Sequence, residues 1–422
     1  MIQYHVFRDK FDFFLYLPNY KQLFYLDRNE YETLKSSVDE KIKNNILNFY
    51  KNRITKIDEY QNLNTRNKRY GLFLCIANIC NAKCIYCFAN HGDYGKEKGI
   101  MPSEIAYKAI DKFMEMIPKD AEAYIIFFGG EPLLAFKEII NTVEYTNKKY
   151  LGEKSYQFHI VTNGTLLSRE KIDFFYEHNF GVAVSIDGGR NIQNFQRPLI
   201  NQKNSYDLIV KNLDYLLRKV KKVHARGTYF DFDISLVKIY DDLLKLGFRE
   251  VNVPPDILNP NIKNTYPKLL SQLENLYEYI VEYIKVHDDF PFGLFTDHIR
   301  RIFMPKIRNA FSCGLGETTY SIDIKGDIYP CHRYSSEIEY KMGNINSGIK
   351  KINLNFSFKK CEKCWNRYTC SHGCSYNDLK LTGSSDDKNI YWCIYSQKMT
   401  ELSLRLIPKL KEKHLKKILG IS

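Results

Sequence analysis

Cysteine placement restricts this chain more than any other feature. Eleven cysteines fall in two groups, Cys75 to Cys87 and Cys313 to Cys393, and the 225 residues between them contain none. Two separate sites follow from that spacing. An odd number cannot all pair as disulfides, and Met1 to Lys21 carries Arg8, Asp9, Lys10 and Asp12 where the apolar heart of a secretory leader would run. The expectation is a cytoplasmic protein whose thiols serve metal or redox chemistry. No apolar run approaches the roughly eighteen residues of a membrane span, so no membrane partner is expected.

Between the cysteine groups, short β-branched or aromatic runs alternate with amphipathic stretches. Gly71 to Ile76, Tyr124 to Phe128, Gln157 to Thr162, Gly181 to Ile186, Val223 to Tyr229 and Arg249 to Val253 read as strands. Helical spacing occupies Ser103 to Met116, Phe136 to Tyr150, Arg169 to His178, Tyr206 to Val220, Tyr240 to Leu246 and Tyr266 to Val286. Six such units are two short of a closed eightfold barrel, which predicts an α/β fold with a partial (β/α)6 TIM-like barrel over 69–300. Residues 1–68 read as a small N-terminal α+β module: strands at Tyr4 to Arg8, Phe13 to Pro18 and Gln22 to Leu26, then a helix from Asn29. Residues 301–398 form a cysteine-rich domain, and 399–422 a basic amphipathic helix near Thr400 to Ile418.

Lys and Arg number 62 against 49 Asp and Glu, a formal charge of +13. The basic residues are spread among acidic ones, and the only dense run is Arg405 to Lys417, so no nucleic-acid partner is expected. That tail reads as a solvated helix face, with an acidic peptide as the alternative partner.

Cys80-x3-Cys84-x2-Cys87 follows the first barrel strand. Three thiolates on a tight loop can hold three irons of a four-iron cluster and leave the fourth open to a reactant, whereas a structural zinc site needs a fourth ligand. Cys75, five residues earlier in a strand pattern, reads as a core side chain rather than a ligand. This motif, with Tyr86 before its last cysteine, resembles the signature of the radical S-adenosylmethionine (radical SAM) superfamily. Gly129-Gly130-Glu131-Pro132 after the second strand resembles that family's GGEP motif, and Val161 to Thr165 and Ser185 to Gly188 end the third and fourth strands. The resemblance implies a [4Fe-4S] cluster on Cys80, Cys84 and Cys87. It also implies S-adenosylmethionine held by Tyr86, Gly129, Gly130, Glu131, Pro132, Asn163, Ser185 and Arg226.

The second group uses seven thiols: Cys313, Cys331, Cys361, Cys364, Cys370, Cys374 and Cys393. Seven fits tetrahedral zinc poorly unless two ions share or one thiol is spare. The pattern, including Gly326, resembles the SPASM extension of radical SAM enzymes, which implies two auxiliary [4Fe-4S] clusters and three in all. By that resemblance Cys361, Cys364, Cys370 and Cys393 hold one auxiliary cluster, and Cys313, Cys331 and Cys374 the other. Some relatives have an eighth cysteine just upstream, but Lys306 to Ser312 contain none. The fourth position of the three-thiol cluster is then a water, a nearby side chain, or an opening for a substrate thiolate.

The stretches Cys84 to Gly95 and Gly326 to Tyr334 resemble maturases of ribosomally made peptides (RiPPs). The expectation is a radical SAM oxidoreductase that cross-links a precursor peptide, most specifically by a cysteine thioether. Its N-terminal module would bind a leader sequence as a winged-helix-like domain, or merely cap the barrel, and a flavodoxin or ferredoxin would supply electrons. The alternative enzyme is an anaerobic sulfatase maturase making formylglycine. Those enzymes carry an aspartate after the cysteine equivalent to Cys331, where this chain has His332. The alternative outside enzymes is a non-catalytic iron–sulfur or zinc interaction protein.

Overall fold

The computed structural model describes residues 2–36, 40–54, 69–303, 313–349, 359–370, 372–385 and 387–421. The N-terminal sheet is an antiparallel meander of β1 (His5–Asp9), β2 (Asp12–Leu17) and β3 (Gln22–Leu26), with β2 central. Helices Arg28–Lys35 and Glu40–Lys51 cover it, burying Tyr31, Leu34, Leu47 and Tyr50 against Leu15, Leu17 and Leu26. Asp27 starts the first helix with a capping box, its side chain accepting from Glu30 N while Glu30 reaches back to Asp27 N.

Six parallel strands then pair in chain order, as expected: β4 (Arg69–Ala77), β5 (Glu122–Gly129), β6 (Ser155–Thr162), β7 (Gly181–Val184), β8 (Lys222–Arg226) and β9 (Val251–Asn252). Helices stand between them because each crossover carries one apolar stripe. In Ser103–Met116 it is Ala106, Ala109, Ile110 and Phe113, all buried. The alternate positions of β4, Leu72, Leu74 and Ile76, meet that layer in the main core.

Three features depart from the expected pattern. Strand β10 (Thr319–Ile322) pairs parallel with β4, and β11 (Asp327–Tyr329), β12 (Gly343–Asn344) and β13 (Gly348–Ile349) follow antiparallel, so one ten-stranded sheet runs from the cysteine-rich region through the barrel. Secondly, β7, β8 and β9 stop short of the expected runs to Ile186, Tyr229 and Val253. Thirdly, the expected helix from Thr400 to Ile418 is two. Ile390–Leu406 ends at a turn containing Pro408, which has no N–H to continue the ladder, and Glu412–Leu419 follows. The tail is also less solvated than expected: Arg405, His414, Ile418 and Leu419 are buried. Among the described residues no helix is long and apolar enough to cross a membrane.

Candidate functional site

The loop after β4 carries Cys80, Cys84 and Cys87 and is fastened on two sides. Gly130 N donates to Ala77 O (2.7 Å) and Glu131 N to Ile79 O (2.8 Å). Opposite, Lys83 N donates to Pro198 O (2.8 Å), Ile85 N to Gln196 O (3.0 Å) and Ile200 N to Asn81 O (3.0 Å). The two glycines are required by the first seam. A Cβ on Gly130 would lie 2.1 Å from Ile79 O, and Gly129, at φ +126°, would press a Cβ to 2.3 Å from Ala77 O.

Glu131 is buried, and its carboxylate is consumed by the chain. Thr162 Oγ1 (2.7 Å) and Leu133 N (3.0 Å) donate to one oxygen, and Asn163 N (2.7 Å) to the other. Burial pushes its pKa up, against the lowering effect of those donors. The Glu131 carboxylate is therefore a clasp between the ends of β5 and β6, while Pro132 opens the short turn Pro132–Ala135 beside it. Asn163 Nδ2 donates to Asn81 Oδ1 (2.7 Å) and lies 4.0 Å from Cys80 Sγ, so the end of β6 also steadies the cysteine loop.

The end of β7 supplies a second clasp. Asp187 is fully buried, receives both Nε and Nη2 of Arg197 at 3.0 Å, and accepts from Thr228 N at 2.8 Å. Tyr86 OH donates to the same carboxylate, and the Arg197 guanidinium lies 5.3 Å from the Tyr86 ring centre. Tyr86 is thereby held at the cluster loop by Asp187. Ser185 N donates to Thr162 O (2.8 Å) at the neighbouring strand end, and Arg226 ends β8 with its side chain exposed.

The thiols gather in three sets. Burial pushes Cys80 up to about 12, with Glu131, Cys84 and Cys87 adding to the rise. Cys331 is likewise pushed up to about 12 by burial, then by Cys374 and Cys313. Cys393 reaches about 12 by burial, then through Cys370, Cys361 and Cys364, and these four line one recess with Trp392 and Gln397. Among the described residues no three His, Cys, Asp or Glu side chains are close enough to share a single metal ion. Sulfur-only donors in sets of three and four are the kind that iron–sulfur clusters take. Cys75 lies apart, buried beside Ser321 Oγ (3.3 Å), with burial lifting it to about 11.

His332 sits between the sets, its ring 4.2 Å from that of Phe73 and 4.5 Å from that of Phe128. Burial, then Arg333 and Arg226, push its pKa below the usual histidine value. Arg197 and the tie between Asn81 and Asn163 were not predicted from sequence. Arg197 lies ten residues beyond Asp187 with no recurring spacing to flag it.

Residues 74–231 match the Radical SAM superfamily model. The chain is 27% identical over 355 residues to the cysteine-type anaerobic sulfatase-maturating enzyme of Clostridium novyi, covering 74% of this chain and 89% of that one. It is 34% identical over 230 residues to an uncharacterized protein of Methanocaldococcus jannaschii, covering 50% and 73%. Among solved structures, native anSMEcpe with bound AdoMet superposes with TM-score 0.67 at 20% identity, over 81% of this chain and 98% of that one. Streptococcus suis SuiB bound to precursor peptide SuiA gives 0.54 at 16% identity, over 93% and 98%. The fold and its cysteine loop are thus those of a radical enzyme built on a partial barrel. The chain belongs to the radical SAM superfamily, whose members use S-adenosylmethionine and a [4Fe-4S] cluster.

Proposed function

We propose that this enzyme matures a ribosomally made precursor peptide, joining a cysteine sulfur to a carbon. The observation that carries this reading is the set of Cys313, Cys331 and Cys374. It is one thiol short of a full cluster, and the remaining cysteine, Cys75, is buried beside Ser321. An auxiliary cluster held by three thiolates leaves an iron to which a substrate thiolate binds. A second auxiliary cluster belongs to Cys361, Cys364, Cys370 and Cys393, giving three with that of Cys80, Cys84 and Cys87.

Bound at the first site, the cluster and S-adenosylmethionine supply a 5′-deoxyadenosyl radical that takes hydrogen from an unreactive carbon. The chain's part is position. Gly129 and Gly130 bring backbone close to the cysteine loop, with Glu131 and Pro132 shaping the turn. Asn163, Ser185 and Arg226 offer polar groups at three strand ends, and Tyr86 is locked over the loop by Asp187. The rings of Phe73, Phe88 and Phe128 pack around His332 and give that side of the site an apolar wall.

For the leader peptide, β3 has no strand partner beyond β2 among the described residues, although Tyr50 OH already donates to Tyr25 O at 3.2 Å. The outer strand β1 is covered instead, with His5 stacked at 3.8 Å on Trp365 and paired with Glu401. Tyr25 on β3 is 61% exposed, and Phe49 of the adjoining helix is also exposed, so an added strand would find both backbone partners and apolar contacts. A flavodoxin or ferredoxin serves as reductant in this reading.

Sulfatase maturation is the second reading, favoured by the extended match to the C. novyi enzyme. One assay separates the two: intact mass of a short peptide encoded beside this gene, and of a sulfatase peptide, after incubation with reconstituted enzyme, S-adenosylmethionine and reductant. Loss of two hydrogens with a cysteine newly shielded from alkylation is the expected result on the former. Loss of sulfur and gain of an aldehyde on the latter would replace it. Cys84→Ala should abolish 5′-deoxyadenosine release with either peptide.

A further inference from the structure

Arg333 is a cation whose contacts the preceding reading leaves unused. It lies in the short turn His332–Ser336, where its own N–H points at Cys331 Sγ (3.5 Å). Its side chain then crosses to another thiol of the same set. Nη1 donates to Asn377 Oδ1 at 2.7 Å and lies 3.8 Å from Cys374 Sγ. The guanidinium is wedged between two rings, 5.1 Å from the centre of Phe88 and 4.7 Å from that of Tyr376. Phe88 directly follows Cys87, so this one side chain touches elements of both the barrel site and the auxiliary site.

Two facts make the arrangement more than packing. Arg333 Nε is buried and has no hydrogen-bond partner. Among the described residues no carboxylate lies within ion-pair distance of the guanidinium, and Asp256 feels its charge only from further off. A part-buried cation with an idle donor is costly unless an anion completes it. Thiolates carrying an iron–sulfur cluster are such an anion, and N–H donors to their sulfurs, like nearby charge, are what set a cluster's potential.

We propose that Arg333 is a positioning residue that raises the reduction potential of the cluster on Cys313, Cys331 and Cys374. The proposal rests on the reading that these three thiols hold a cluster. A fixed positive charge beside Cys374 favours the form with one more electron. In the thioether reading that electron is the one the substrate gives up when its carbon radical bonds to sulfur, after the hydrogen atom has left as 5′-deoxyadenosine. The substrate thiol gives up its proton on binding the open iron, the new C–S bond replaces that iron–sulfur bond, and the cluster takes up the one electron. Asn377 fixes the guanidinium, and the two rings keep it from swinging out to solvent.

The test uses full-length protein with Cys80, Cys84 and Cys87 replaced by alanine, so that only auxiliary clusters report, in redox titrations followed by electron paramagnetic resonance. Arg333→Gln should make one of the two signals about tenfold harder to reduce at a fixed potential, a shift of about 59 mV for one electron, and leave the other in place. Arg333→Lys, which keeps the charge, should stay within about threefold of the parent. An unmoved potential in Arg333→Gln, or an equal shift in both variants, overturns the proposal, because shape and not charge would then be at work. Should Arg333→Gln fail to hold the cluster, Asn377→Ala decides. A smaller shift in the same direction supports the proposal, and none overturns it. Iron analysis separates the underlying reading: about four irons in the parent instead of about eight would remove the three-thiol cluster itself, whereas about eight irons with an unmoved potential removes only the role of Arg333.

Discussion

Asp187 does more at the site than its place in a strand-end motif suggests. Its two oxygens serve Arg197, Tyr86 and Thr228 N together, and among the described residues it is the carboxylate paired with Arg197. Asp187→Asn keeps the shape and removes the charge, leaving a guanidinium that is 12% exposed without its partner. A broken buried pair costs about 3 kcal/mol or more, and here the cost falls on the end of helix Arg190–Gln196 and the turn after it, which clamp the cysteine loop through Gln196 and Pro198. The variant should lose the iron of the radical SAM cluster and show lower protection of 196–200 in hydrogen exchange, while any iron on the proposed auxiliary sites is retained. Full iron content and unchanged exchange would show that the clamp holds without the charge. The sequence points to Cys80, Cys84 and Cys87 because covalent ligands need a fixed local spacing. Arg197 and Arg333 stay hidden because their roles depend on approach in space, across ten and 41 residues respectively, and arginine is common on any surface.

The elements that are easiest to read are those with one exposed and one buried face. Ser103–Met116 and Phe136–Tyr150 fall at their expected ends because an amphipathic stripe and flanking breakers fix both. Strand β10 escapes notice because four residues, Thr319 to Ile322, carry too little pattern, and their parallel partner β4 lies some 250 residues earlier, a pairing with no local signal. In the tail, following charge and apolar spacing past Pro408 gives one helix where the chain forms two. The join between β5 and the cysteine loop offers the sharpest test at this scale. Gly130→Ala places a methyl against Ile79 O at 2.1 Å and against Gly92, with backbone on each side and no room to yield. It should lower occupancy of the radical SAM cluster and 5′-deoxyadenosine formation by at least about tenfold while leaving any iron on the proposed auxiliary sites in place. A variant with full iron and normal cleavage would mean the seam tolerates separation and that the glycines serve only the turn.

Across the whole molecule, the N-terminal sheet is tied to the barrel and to the tail at one buried carboxylate. Asp9, at the end of β1, is 1% exposed, accepts from Tyr277 OH at 2.7 Å, and pairs with Arg405 and Lys409 at 2.9 Å each. Arg405 continues to Glu274 at 2.8 Å, so helices Ile262–Val286 and Ile390–Leu406 meet the first hairpin through charge. Burial alone would raise the Asp9 pKa, but Lys409, Tyr277 and Arg405 outweigh it and hold the carboxyl below its ordinary value. A depressed folded pKa means the stabilisation is complete above the unfolded value of about 3.9 and drains away as pH falls through the folded one. Asp9→Asn should therefore weaken docking of β1 and β2 by about 3 kcal/mol at pH 7, the low end for a broken buried pair because Arg405 keeps Glu274. Hydrogen exchange of 5–17 in the two proteins gives the measure. The gap between them should be constant from pH 7 to about 5 and close only below about 4. A gap that closes already between pH 7 and 6 would show that the Asp9 carboxylate is not the tie. If a leader peptide adds to β3, this tie is what carries its binding to the helices behind the barrel. Asp9→Asn should then loosen the dependence of turnover on the leader more than it loosens leader binding itself.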